Sequence, residues 1–157
     1  MFINPTTPNL ADFLTFVQDQ GFTAAYLTAD SAYLGYSLNY ALAVALTAPS
    51  DLGAGIPGYA TPYVMACYNL GIHQLVKIAP DQTGQTTFSD ARAKYNLLQF
   101  QAGPVIASSD QATSQTLAEP EFLKGLTISA LDLLKTPWGR FYLDYAQQYG
   151  STVVGVT

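Results

Sequence analysis

The chain has 157 residues, the span of one domain around one hydrophobic core, and 49% of them are apolar while only 11% are charged, which excludes a disordered chain and a multidomain array. Six Lys and Arg against eleven acids give a net charge of −5 and no basic cluster dense enough to neutralise phosphates along a duplex, so nucleic acid is excluded as a direct ligand. One cysteine and one histidine exclude an internal disulfide and a structural zinc site, and the most apolar run, Tyr33 to Ala48, is broken by Ser37, Asn39 and Thr47 before it could span a bilayer.

Met1-Phe2-Ile3-Asn4-Pro5 lacks the basic start and long apolar core of a signal peptide. This predicts a protein made and used in cytoplasm, or assembled there into something larger. Asn9 suits the cap of a short first helix, with Leu10, Phe13, Leu14 and Val17 on one apolar face and Gly21 ending it. Ala24 to Thr28 is a link. Asp30 or Ser31 then caps a longer helix in which Leu34, Leu38, Ala41, Leu42 and Ala45 recur at three and four residues, with Tyr33, Tyr36 and Tyr40 as a second stripe beside them.

Pro49 and the Gly53, Gly55, Pro57, Gly58 group cannot continue a helix, so Pro49 to Tyr59 is a loop. Thr61-Pro62 restarts one, as a cap followed by proline at the first helical position. That third helix carries Met65, Asn69, Ile72 and Val76 along one side, with Tyr68 and Leu75 adjacent, and reaches about Ile78. Gly71 inside it costs about 1 kcal/mol relative to alanine and marks the close approach of another helix.

Pro80 to Thr87 is a polar loop, and Ser89 to Leu98 is either a helix or a turn followed by a strand. Gly103 to Ala118 has few apolar anchors and reads as an extended arm or irregular hairpin. Glu119-Pro120 opens the last paired unit, with Phe122, Leu123, Leu126, Leu131 and Leu134 as its core face up to Lys135. Thr136-Pro137 is a second cap-plus-proline start, leading into Phe141, Tyr142, Tyr145 and Tyr149 before Gly150. The tail from Ser151 to Thr157 is β-prone and too short to pack alone, so it either frays or adds as a strand to a partner. The resulting fold class is mainly α: a small bundle of about four to five helices over residues 1–150, an arm at about 103–118, and a docking tail at 151–157.

Between Ser31 and Val76 the only charged residue is Asp51, and a second gap runs from Tyr95 to Ser109. A helix without a charged stripe is expected to be enclosed by protein. A core of this size cannot enclose two such helices, so tyrosine-rich surface is left to face something. Tyrosine combines a large rigid apolar area with a polar tip, which suits protein interfaces. The alternative is that uncharged Ser, Thr, Asn and Gln solvate that surface.

Chemical motifs are thin. Cys67 and His73 lie six apart on one predicted helix, about 240° around its axis, so they form no dyad within it; a buried thiol and a hydrogen-bonded core histidine account for them. Glu119 and Glu121, the only glutamates, stand at a predicted helix N-terminus, where carboxylates stabilise the dipole. The glycines at 53, 55 and 58 are not followed by the lysine of a phosphate loop, and Asp81, Asp90, Asp110 and Asp132 lack calcium-loop spacing. Trp138, Arg140 and Tyr142 either stack a sugar or base or form a buried anchor beneath a proline bend. No catalytic, cofactor or metal residue is expected, and an enzyme is disfavoured.

Taken together, the order of segments resembles the head-to-tail adaptor, or connector, proteins of tailed bacteriophages. The residues that carry this are Asn9-Leu10-Ala11-Asp12-Phe13-Leu14, the alanine- and leucine-rich helix from near Asp30, Tyr68-Asn69-Leu70-Gly71-Ile72-His73-Gln74-Leu75, and the arm Ser108-Ser109-Asp110-Gln111-Ala112-Thr113-Ser114-Gln115-Thr116. The most specific piece, Leu134-Lys135-Thr136-Pro137-Trp138-Gly139-Arg140-Phe141-Tyr142-Leu143, looks like the Thr-x-x-Gly-x-x-Tyr/Phe-Leu element that closes many such adaptors. The loop at 49–59 is longer than that pattern leads one to expect.

The resemblance implies a structural virion protein of the neck, made in the host cytoplasm. It would form a ring of twelve beneath the portal, bind a tail or nozzle protein on its other side, and leave DNA only passing through its channel, with no membrane contact and no cofactor. Portal binding is expected at Thr152, Val153, Val154, Val156 and Thr157, and the contact between subunits at Tyr33, Tyr36, Tyr40, Ser109, Gln111 and Thr113. The alternatives are a capsid cement or decoration protein and, less favoured, a cell-wall hydrolase using Glu119 or Glu121.

Overall fold

The computed structural model describes residues 2–45, 59–99, 107–110, 113–116 and 127–149. Six helices and one two-stranded antiparallel sheet lie among them, in the order α1 (Leu10–Asp19), α2 (Ala32–Val44), α3 (Pro62–Ile78), α4 (Thr87–Lys94), β1 (Ala107–Asp110), β2 (Thr113–Thr116), α5 (Ile128–Leu133) and α6 (Pro137–Tyr149). The chain is a small helical bundle, as its periodicity predicts.

Helix α3 is the axis of the bundle, with α1, α2, α4 and α6 packed around it. The Thr61 hydroxyl accepts the Val64 N–H and Pro62 fills the first turn, so the start falls where the cap-plus-proline pair put it. From Ala66 to Val76 every residue except Gln74 is buried. The expected one-sided apolar stripe is therefore an understatement: this uncharged stretch is enclosed all round, which is what a helix without a polar face requires.

Gly71 lets α1 approach. A Cβ at this position would lie 2.8 Å from two carbons of the fully buried Phe13 ring, so only glycine fits without displacing it. Tyr68 lies under the same helix, with its ring between Phe13 at 5.6 Å and Phe16 at 5.8 Å, and its hydroxyl donates to the Asn9 carbonyl. Phe22 stacks on Phe88 of α4 at 5.2 Å, and Trp138 of α6 joins them. Together with Leu34 and Leu38 of α2, these side chains make the main core.

The N-terminal segment is stitched to α1 through Asp12. Asn9 caps the helix by accepting the Asp12 N–H, and the Asp12 carboxylate accepts the amides of Ile3 and Asn4, both at 2.7 Å, and the Asn9 side-chain amide. Burial raises the Asp12 pKa, but the Asn4, Ile3 and Asn9 hydrogen bonds outweigh it and hold the carboxyl below its usual value. Unlike the acid of a capping box, Asp12 does not take the cap's own N–H, which goes to the Tyr68 hydroxyl. The sequence offered the Asn9 cap but no sign of this clasp.

Of the two readings of Ser89 to Leu98 the helix is the one found: α4 is followed by a turn at 95–98, and Asp81 anchors it by accepting the Phe88 and Ser89 amides. One expectation needs correction. Of the unit expected from Glu119 to Lys135 as a core-forming helix, the described residues form a helix over Ile128–Leu133, and α5 has no buried residue. Thr127 is the actual cap, with its hydroxyl accepting the Ala130 N–H; Leu131 and Leu134 are only half-buried. One and a half turns cannot both leave the Thr127 cap and lay a continuous apolar face on the core. Phe122, Leu123, Leu126 and most of the loop at 49–59 lie outside the described residues.

Candidate assembly surface

Helix α2 has no charge, as α3 has none before Lys77, but it is covered on one side only. Leu34, Ser37, Leu38 and Ala41 face α3 and are buried. On the outer side Ala32, Tyr36, Asn39, Tyr40 and Ala43 fall in one stripe at helical spacing, and all five are exposed. Tyr36 is 62% exposed and Tyr40 40%, with Leu42 and Val44 exposed at the stripe's C-terminal margin. Tyr33 departs from the expected position: it is half-buried against the core and meets the Tyr36 ring edge-on at 6.1 Å. It braces Tyr36 rather than standing beside it as an equal contact.

The C-terminal end of α2 is tied to α6. Tyr142 donates to the Val44 carbonyl at 3.3 Å, and Ala41, Ala45, Ala66, Cys67, Leu70, Tyr142 and Tyr145 make a second, smaller core. Cys67 is inside it, beside Tyr63; burial pushes its thiol up to about 11, with the Tyr63 contact pulling slightly the other way. A thiol that holds its proton this firmly is a packing group and not a nucleophile.

Within the expected arm the described residues form a two-stranded antiparallel pair. β1 and β2 pair antiparallel with Ala107 opposite Thr116, Ser108 opposite Gln115, Ser109 opposite Ser114 and Asp110 opposite Thr113. Ser109 and Thr113 thus lie on opposite strands one register position apart. Gln111, between the two strands in sequence, lies outside the described residues, as do Thr152, Val153, Val154, Val156 and Thr157.

The Thr-x-x-Gly element has a clear local reason. Thr136, with no exposed surface, accepts the Gly139 N–H at 3.0 Å and caps α6. A Cβ on Gly139 would run into the Leu133 backbone, so only glycine permits the tight corner between α5 and α6. Trp138 is the buried anchor beneath the proline bend, donating its indole N–H to Gln20 at 3.1 Å, while Arg140 is exposed and reaches the Leu134 carbonyl. No stacking platform is formed by the three residues weighed for that role.

His73 joins this corner to α3. It is 2% exposed; its Nδ1 lies 2.7 Å from Thr136 Oγ1, and its Nε2 faces Asp132 at 3.5 Å. Asp132 also takes Lys77 at 2.6 Å and Lys135 at 3.5 Å. Burial first, and Lys77 second, lower the imidazole to about 4 against the pull of Asp132, so the ring is neutral near pH 7. Burial opposes ionisation of Asp132, but the Lys77 bond and charge outweigh it and keep its carboxyl below the usual range. The sequence anticipated a hydrogen-bonded histidine but offered no sign of its partners, since Thr136 is 63 residues away.

Among the described residues, no three His, Cys, Asp or Glu side chains are placed to hold a metal ion, and no helix is long and apolar enough to cross a membrane. Searches of protein-family models, curated proteins and solved structures find no match to this chain.

Proposed function

We propose that the chain is a structural virion protein, a head-to-tail adaptor whose copies close into a ring between portal and tail. The observation that carries this reading is the outer face of α2: a tyrosine and alanine stripe without one charge, left open on a helix whose sequence calls for enclosure. A cyclic ring closes through a heterologous contact, in which one patch meets a different patch on the next copy. Tyr36 and Tyr40, braced by Tyr33, supply one patch, and the hairpin around Ser109, Gln111 and Thr113 belongs to the same contact. Thr152, Val153, Val154, Val156 and Thr157 add to the portal, with backbone hydrogen bonds supplying much of the affinity if they join it as a strand.

The test is the mass of the protein in solution, alone and mixed with a candidate portal, with a chain lacking Ser151 to Thr157 as control. The adaptor reading expects stoichiometric rings on the portal that depend on the tail. A shortened chain that binds portal undiminished would refute the docking role. A stable trimer or dimer indifferent to portal would move the protein to the capsid surface as a cement subunit.

A further inference from the structure

α5 contributes no fully buried side chain: Leu133 is half-buried against the second core, and the polar tie of α5 to α3 runs through Asp132, which bonds Lys77 and faces His73. Each nitrogen of the buried His73 ring meets a different residue of the α5–α6 corner, Asp132 at Nε2 and Thr136 at Nδ1. We propose that His73, Asp132 and Thr136 form a proton-operated latch. With neutral His73 the latch holds α5 on α3. Proton uptake lets α5 and the turn at Leu134–Thr136 lift away while the rest of the bundle stays folded.

The hydrogen bonding favours the neutral ring. An ionised carboxylate is an acceptor, so the single ring proton belongs on Nε2, toward Asp132. Nδ1 then accepts the Thr136 hydroxyl, whose oxygen in turn accepts the Gly139 N–H. A second proton on Nδ1 would set N–H against O–H at 2.7 Å. The hydroxyl could turn and accept, but its own proton would lose this partner in a site with no exposed surface. The charges around the ring act in the same direction: Lys77 from α3 and Lys135 from the turn stand against Asp132 alone, so an imidazolium would be a third cation beside one anion.

The rest of α6 does not depend on this corner, because Trp138, Tyr142 and Tyr145 are buried against other elements. Opening at α5 can therefore be local. A ring freed into water titrates near 6.5, against about 4 when latched, so acid favours the open form. From those two values the open population should rise about twentyfold between pH 7 and pH 5.

Amide hydrogen exchange on the full chain tests this, once the intrinsic pH dependence of exchange is removed. The amides of Leu131 to Leu134 should lose protection about twentyfold between pH 7 and pH 5, through an opening of lower free energy than the global unfolding that limits those of Val64 to Val76. His73→Gln, which retains a neutral hydrogen-bonding group, should abolish the pH response of α5. Asp132→Asn should raise α5 exchange at pH 7 already. Unchanged α5 protection at pH 5, one common opening free energy for α5 and α3 amides, or an equal pH response in His73→Gln would each overturn the latch. The wild-type measurement decides the matter even where a variant fails to fold.

Discussion

Helices α2 and α3 share a defect, a sequence without charge up to Lys77 near the end of α3, and end in different surroundings. α3 is wrapped by α1, α2, α4 and α6, so its lack of charge is satisfied inside one chain. α2 has α3 on its inner side and an exposed tyrosine stripe on its outer side. Missing charge therefore specifies that a helix must be covered, without specifying whether its own chain does the covering. The bundle has one axis position, and α3 occupies it.

The sharpest way to break the contrast is at α3. Phe13→Ala removes the ring that closes the Gly71 notch and should cost about 3–5 kcal/mol, read as a lower urea midpoint at unchanged slope. Acid comes next. His73 has a folded pKa of about 4 against an ordinary 6.5, so its share of stability is complete above 6.5 and drains as pH falls toward 4, by up to about 3 kcal/mol. Asp12, Asp81 and Asp132 are held below 3.8, so their share persists to lower pH and is lost only beneath that. Urea unfolding at pH 7, 5 and 4 should show the loss, and His73→Gln should flatten its upper part.

Gly71→Ala sets a helix-propensity gain of about 1 kcal/mol against crowding of an immobile ring worth about 1–3 kcal/mol. A net loss of about 1 kcal/mol is expected, and a more stable variant would mean that Phe13 can yield. The smallest effect on stability belongs to α2. Tyr36→Ser with Tyr40→Ser should change the unfolding free energy by under about 0.5 kcal/mol, yet abolish ring formation in light scattering. If the double variant instead unfolds the monomer, the stripe is part of the fold and not of an interface.

The bundle was largely legible because its punctuation is local. Asn9, the Thr61-Pro62 pair and the Thr136-Pro137 pair mark helix starts through bonds that reach only three residues, and Gly71 announced a close neighbour without naming Phe13. α5 was misread because apolar residues at helical spacing say nothing about whether a helix will continue past a threonine able to cap its own restart. The candidate surface was legible as a composition and only roughly as a position: Tyr36 and Tyr40 point outward, while Tyr33 is drawn into the core. The His73 corner was illegible as a unit, since it exists only after segments far apart in sequence have packed.

The placement of Trp138 also gives the molecule an internal optical gauge. It is the only tryptophan in the chain, and it is held by Gln20 from the end of α1, by Phe22, and by the edge-on ring of Tyr95 just after α4. Two separate stretches of backbone, at 20–22 and at 95, converge on one fluorophore with little access to water. Its emission should be blue-shifted, shielded from iodide and fed by energy transfer from Tyr95, so a single spectrum can register whether α6 is still seated on the bundle.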